Sequence, residues 1–203
     1  MRPAFRALIC TPLLVGAALA ASKSSGDRPD HALAHRIFDE YYACGEHREG
    51  ELEYLGDALG SDCVIHVLEE IDGRTLARAY RHSGKKNEDW YGWQRNVLSP
   101  CDCEVTRINI NRTVNLPGEL GEPPATFVVL KRNDGVHFLL AHLDKPNVET
   151  GTRVRAGQTL GRVGNNGYGR NPHIHIGAWH GETPLQIRFD LSNATSSDPP
   201  SKR

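Results

Sequence analysis

The sequence predicts a mainly β domain preceded by one short helix, and three observations carry this. Gly 20 and Pro 12 stand against 7% aromatic residues, a composition suited to many turns and small side chains. Apolar runs of strand length recur from Cys63 onward, bounded by Gly, Pro, Asn and Asp. Two of them, 126–130 and 136–142, flank Asn133-Asp134-Gly135, which reads as a β-hairpin turn.

Taken in order, residues 1–20 have the form of a secretory signal peptide. Arg2 and Arg6 supply the charge, an apolar run covers 7–19, and Ala18-Leu19-Ala20 is a small-x-small cleavage site. Residues 21–61 are expected to form a flexible leader and a helical N-terminal segment. Leu33, Ile37 and Tyr41 recur four apart with Phe38 and Tyr42 beside them, which predicts a helix over 31–44 with Asp30 as N-cap. Strand-like segments then follow at 64–68, 97–100, 103–110, 126–130 and 136–142. Shorter ones flank glycine turns at 148–154 and 157–161, and the last strong strand is 173–179. Residues 115–124 hold three prolines and two glycines and read as a loop. The folded unit is expected over 62–191, and the polar, Pro-containing stretch 192–203 as a disordered tail.

Lys+Arg 24 against Asp+Glu 25 gives a net charge of -1, which offers a nucleic-acid partner no electrostatic footing. Without residues 1–20 the chain carries 22 basic and 25 acidic residues, a net of -3. Beyond the N-terminus no apolar stretch reaches the length of a spanning helix. The expectation is a periplasmic or secreted monomer, free of the membrane after signal cleavage. Cys44, Cys63, Cys101 and Cys103 remain, and an even number in an exported chain favours disulfides, with three connectivities open. On a strand, residues i and i+2 lie about 6.6 Å apart, too awkward for an easy Cys101–Cys103 bond. At least one bond from that pair to Cys44 or Cys63 is therefore expected.

Ten histidines are the unusual entry in the composition. In Pro172-His173-Ile174-His175-Ile176-Gly177, a strand places His173 and His175 on one face and the two isoleucines on the core face. Two imidazoles side by side suit metal binding or proton transfer, and His142 closes an apolar strand. Catalytic zinc commonly takes three protein ligands, and His82, Asp89 and one of His173 or His175 would supply them. H-E-x-x-H and G-x-S-x-G are both absent.

In order, these pieces resemble the lysostaphin/LytM-like zinc metallopeptidases, many of which are peptidoglycan endopeptidases. The matching parts are His82 with Asp89, Val97-Leu98-Ser99-Pro100-Cys101-Asp102-Cys103-Glu104-Val105 and Ala141-His142-Leu143. The turn-rich stretch 148–161, Gly164-Asn165-Asn166-Gly167 and Pro172-His173-Ile174-His175-Ile176 complete them. The resemblance implies an antiparallel β-sheet barrel-sandwich core and one Zn²⁺ per chain held by His82, Asp89 and His175. It makes His142 and His173 the catalytic pair, with the roles of base and oxyanion stabiliser open between them. His82 and Asp89 stand seven apart where the family's first motif has four, and Glu88 is the neighbouring alternative to Asp89. The implied activity is zinc-dependent hydrolysis of peptide bonds, in peptidoglycan cross-links or in another small-residue-rich peptide. The alternative is an inactive relative that binds wall peptides or regulates another hydrolase.

Overall fold

The computed structural model describes residues 30–190. The expected signal peptide over 1–20 and the tail from 192 lie outside the described residues. Fourteen strands form: β1 His31–Ala34, β2 Tyr42–Glu46, β3 Ser61–Ile65, β4 Val67–Ile71, β5 Arg74–Arg78, β6 Asn96–Leu98, β7 Cys103–Asn109, β8 Phe127–Arg132, β9 Val136–Ala141, β10 Leu143–Asp144, β11 Arg153–Val154, β12 Thr159–Val163, β13 Ile174–His180 and β14 Thr183–Phe189. The helical element among the described residues is one 3-10 turn, Asn87–Asp89.

A nine-stranded sheet runs β1-β14-β13-β9-β8-β7-β11, with β3 also on β13 and β2 on β3. Every pairing is antiparallel except β1 with β14. A three-stranded sheet β10-β12-β6 packs beside it, and β4-β5 is a separate hairpin. The expected hairpin is β8–β9, with Lys131 opposite His137 and Gly135 at φ +87 in the turn. One core fills the interior, built on Phe38, Phe138, Leu130, Leu140, Leu143, Leu160, Ile174 and Ile176. Ile174 and Ile176 are fully buried; each such side chain contributes about 1.5–3 kcal/mol of transfer free energy. That burial sets the inner face of β13 and turns the histidines to the other face.

The N-terminal helix expected over 31–44 does not form. β1 instead lies parallel to β14, His31 opposite Gln186, with Ala32 and Ala34 buried. Leu33 is 52% exposed and Tyr41 55% exposed, so the residues spaced four apart share no buried face. The open edge of β14 supplies ladder hydrogen bonds in place of intrahelical ones, and two buried alanines suit a period of two. Residues 31–34 and 42–46 are thus strands of the sheet.

The disulfides also differ from expectation: Cys44–Cys63 and Cys101–Cys103. Cys44 and Cys63 are direct cross-strand partners on β2 and β3, with Cα atoms 4.0 Å apart. Cys101 lies in a bend before β7, so its Cα stands 5.4 Å from that of Cys103 rather than at full extension.

Candidate metal centre

The register of three strands builds the site. β13 pairs with β3 so that His175 lies opposite Asp62, and with β9 so that His175 lies opposite Ala141, the residue before His142. On β3, Cys63 and Ile65 face the core, which leaves Asp62 on the same side as His175. β2 pairs with β3, Glu46 opposite Ser61, and delivers His47 just beyond, where its N–H donates to the Gly60 carbonyl at 2.8 Å. Ligand atoms of His47, Asp62 and His175 all lie within 4.8 Å of one another.

The hydrogen bonds decide which nitrogen of each ring faces inward. A carbonyl only accepts, so the ring nitrogen it contacts must carry the proton. His175 Nε2 donates to the Gly56 carbonyl at 2.8 Å, and its Nδ1 stands 3.0 Å from Asp62 Oδ1. His47 Nδ1 donates to the Asp57 carbonyl at 3.1 Å, and its Nε2 stands 3.5 Å from Asp62 Oδ2. His173 Nδ1 donates to the Asn171 carbonyl at 2.7 Å, and its Nε2 stands 3.7 Å from Asp62 Oδ1. Three rings therefore turn their second nitrogen toward one carboxylate. A neutral His175 would set a lone pair against an anionic oxygen, and a shared cation or a proton removes that conflict. Two imidazoles and a carboxylate form a donor set suited to zinc, and these residues fit the metal that the resemblance implies.

Without metal, a proton meets the same demand. Burial lowers His175, but the hydrogen bonds to Asp62 and Gly56 and the charge of Asp57 raise it overall. Burial raises the Asp62 carboxyl, and the hydrogen bond from His175 with the charges of His173, His175 and His47 outweighs this, holding it well below the usual carboxylate range. Asp62 keeps 46% of its side chain exposed, so the cluster opens to solvent on that side.

His142 and His173 are adjacent, with ring centroids 4.4 Å apart. His142 Nδ1 donates to the Asn166 carbonyl at 2.7 Å. Burial, followed by the charge of His173, pushes His142 down to about 3, and burial also lowers His173. Both are neutral near pH 7. Gly169 allows the turn to pass this close, since a Cβ there would meet His142 Nδ1 at 3.1 Å and His173 Cε1 at 3.2 Å. Asn115 anchors that turn by donating to the Gly167 and Gly169 carbonyls at 2.9 Å each.

The structure brings together three of the five residues singled out in the sequence: His142, His173 and His175. His82 is exposed in the turn after β5, at φ +55, and Asp89 lies half-buried in the 3-10 turn with Glu88 exposed beside it. Neither joins the group around His175 among the described residues. His47 and Asp62 lie beside His175 instead. Sequence reading passes over them because the residue four before Asp62 is Ala58, so no His-x-x-x-Asp spacing marks the pair. The available signal was the alternation Asp62-Cys63-Val64-Ile65, which puts an acid on the outer face as His173 and His175 are on β13.

Residues 94–187 match peptidase family M23. That stretch is just under half of the chain. It contains His142, His173 and His175 and starts beyond His47 and Asp62. Over 71 residues, 34% of the chain, the sequence is 41% identical to the glycyl-glycine endopeptidase ALE-1 of Staphylococcus capitis and 39% identical to lysostaphin of Staphylococcus simulans. The match spans 17% and 13% of those two proteins, so the chain aligns with only a small part of each. Among solved structures, the catalytic domain of the antimicrobial peptidase lysostaphin from Staphylococcus simulans is 18% identical. It gives a TM-score of 0.41, with 72% of this chain and 88% of that chain covered. The M23 match agrees with the lysostaphin/LytM-like resemblance drawn from the motifs.

Proposed function

We propose that the chain is an exported zinc-dependent endopeptidase that hydrolyses peptide cross-links of bacterial cell walls. The observation that carries this is the set of imidazoles with one nitrogen fixed by a backbone carbonyl and the other turned to Asp62. In this reading His47, Asp62 and His175 hold the metal, in place of the set containing His82 and Asp89. Bound zinc supplies Lewis acidity toward a water molecule and a peptide carbonyl. Three protein ligands would leave such a metal open positions for both.

His142 and His173 are the proton-moving pair. Each has Nδ1–H committed to a carbonyl, which leaves Nε2 as the basic nitrogen. Being neutral, either can accept one proton from the attacking water at Nε2, steady the tetrahedral oxyanion in that protonated form, and pass the same proton on to the leaving amine. Backbone anchoring keeps both rings oriented through the cycle.

The M23 stretch supports a peptide bond as target, and the name of the ALE-1 relative supports a small-residue linkage. The two disulfides suit an oxidising compartment, as does the signal-like sequence at 1–20. Digestion of purified sacculi with zinc-loaded protein tests the proposal. New amine termini with unchanged reducing ends are expected. New reducing sugar ends would overturn it, and so would intact sacculi, which would leave a wall-peptide binder.

A further inference from the structure

The segment from His47 to Asp62 straps across β13 and carries four of the site's groups: His47, the Gly56 carbonyl, Asp57 and Asp62. Its central contact is unusually close. Gly177 faces Gly56, and a Cβ on Gly177 would overlap the Gly56 carbonyl oxygen and lie 2.5 Å from the carbonyl carbon and 2.9 Å from Gly56 Cα. These are backbone atoms, so any side chain at 177 must push the strap outward. The strap lies tight on this sheet face at Gly56 itself too: at φ +94, it sits where a Cβ would touch Leu139 Cδ2 at 3.0 Å and Trp179 at 3.2 Å, the cross-strand and same-face neighbours of Gly177. The carbonyl held in this notch is the one that accepts from His175 Nε2 at 2.8 Å.

We infer that Gly177 is a positioning residue of the metal centre: its bare Cα admits the Gly56 carbonyl to His175 and so leaves Nδ1 as the ligand nitrogen. The physical reason is the exclusivity of imidazole. A neutral ring carries one proton, and the nitrogen that donates to Gly56 cannot bind a metal. If the carbonyl withdraws, Nε2 keeps only the exposed Asp57 carboxylate, 3.3 Å away on the same strap, and the proton shifts toward Nδ1, which then turns an N–H rather than a lone pair toward Asp62. Gly177 thereby acts two residues from the ligand and through the strap, touching neither metal nor substrate. This inference rests on the reading of His47, Asp62 and His175 as ligands.

The test uses the disulfide-bonded protein and two readouts besides activity: zinc affinity by chelator competition, and solvent exchange of the His175 Nε2–H by NMR in metal-free protein at a pH where the ring is protonated and donates to both Gly56 and Asp62. Wild type should bind zinc and show a protected Nε2–H. Gly177→Ala should retain the folded β spectrum, lose roughly 10–100-fold in zinc affinity, and show a fast-exchanging Nε2–H at His175. Gly45→Ala, on β2 with open space around it, should match wild type in both. Wild-type affinity and an equally protected Nε2–H in Gly177→Ala would overturn the inference. Should Gly177→Ala not fold, Gly56→Ala lifts the same carbonyl off the same sheet face, and an unaltered His175 Nε2–H there would overturn it equally. Absence of zinc binding by wild type would reject the metal reading alone, since the exchange measurement still tests the role of Gly177.

Discussion

Removing the Cys44–Cys63 bond should cost more than removing Cys101–Cys103, and only the first loss should weaken the metal site. The two bonds close loops of very different length, with sequence separations of 19 and 2. In the chain-entropy model a 19-residue loop corresponds to roughly 3 kcal/mol and a loop of two or three residues to roughly 1–1.5 kcal/mol. For a folded unit of this size each kcal/mol moves the melting temperature by about 2–4 °C. Cys44→Ala/Cys63→Ala should therefore melt roughly 6–12 °C below wild type, and Cys101→Ala/Cys103→Ala roughly 2–6 °C below. The longer loop also encloses His47, Asp57 and Asp62, so losing its cross-link lets β2 and the strap open locally. Melting by circular dichroism and zinc competition on both double variants read the two effects. An equal or larger thermal loss for the Cys101/Cys103 variant would refute the loop-length reasoning. Wild-type zinc affinity in the Cys44/Cys63 variant would refute the coupling to the site.

His47→Ala should lose zinc affinity by at least about 100-fold, beyond the range seen for outer-shell changes. His82→Ala and Asp89→Asn should keep wild-type affinity, and the opposite order would restore the ligand set expected from sequence. His173→Ala should keep bound zinc yet lose roughly 10²–10⁴-fold in turnover, the usual scale of a lost acid–base group; full activity would remove it from the proton-moving pair. In chelator-treated protein, stability should fall as pH drops below about 6.5, the unfolded histidine value. The cause is that unfolded His142 binds a proton that the folded ring, held at about 3, refuses. The slope from this group approaches 1.4 kcal/mol per pH unit between those limits. His175, raised in the fold, works in the opposite sense, so the diagnostic is a shallower slope in His142→Gln, read by urea denaturation at pH 7 and pH 5.

The strand pattern of 103–180 was legible in the sequence because the residues that make it are local. Alternation of His173, Ile174, His175 and Ile176 needs only the period of two, and Asn133-Asp134-Gly135 needs only turn chemistry. Those same features single out His142, His173 and His175 as one half of the candidate site. The other half depended on pairing between distant strands. Asp62 stands 113 residues from His175 and becomes its neighbour only through the β3–β13 register. His47 is carried there by β2 pairing with β3, across an intervening strap that has no repeat or motif to announce it. The cysteines follow the same rule, since Cys44 and Cys63 are joined because β2 and β3 set them opposite each other. The N-terminal segment shows the limit from the other direction: Leu33, Ile37 and Tyr41 carry a helical spacing, but the free edge of β14 competes for the backbone and wins. Local periodicity determines which face a side chain takes, whereas the choice of partner strand is a long-range event decided by which hydrogen-bonding edges the folded core leaves open.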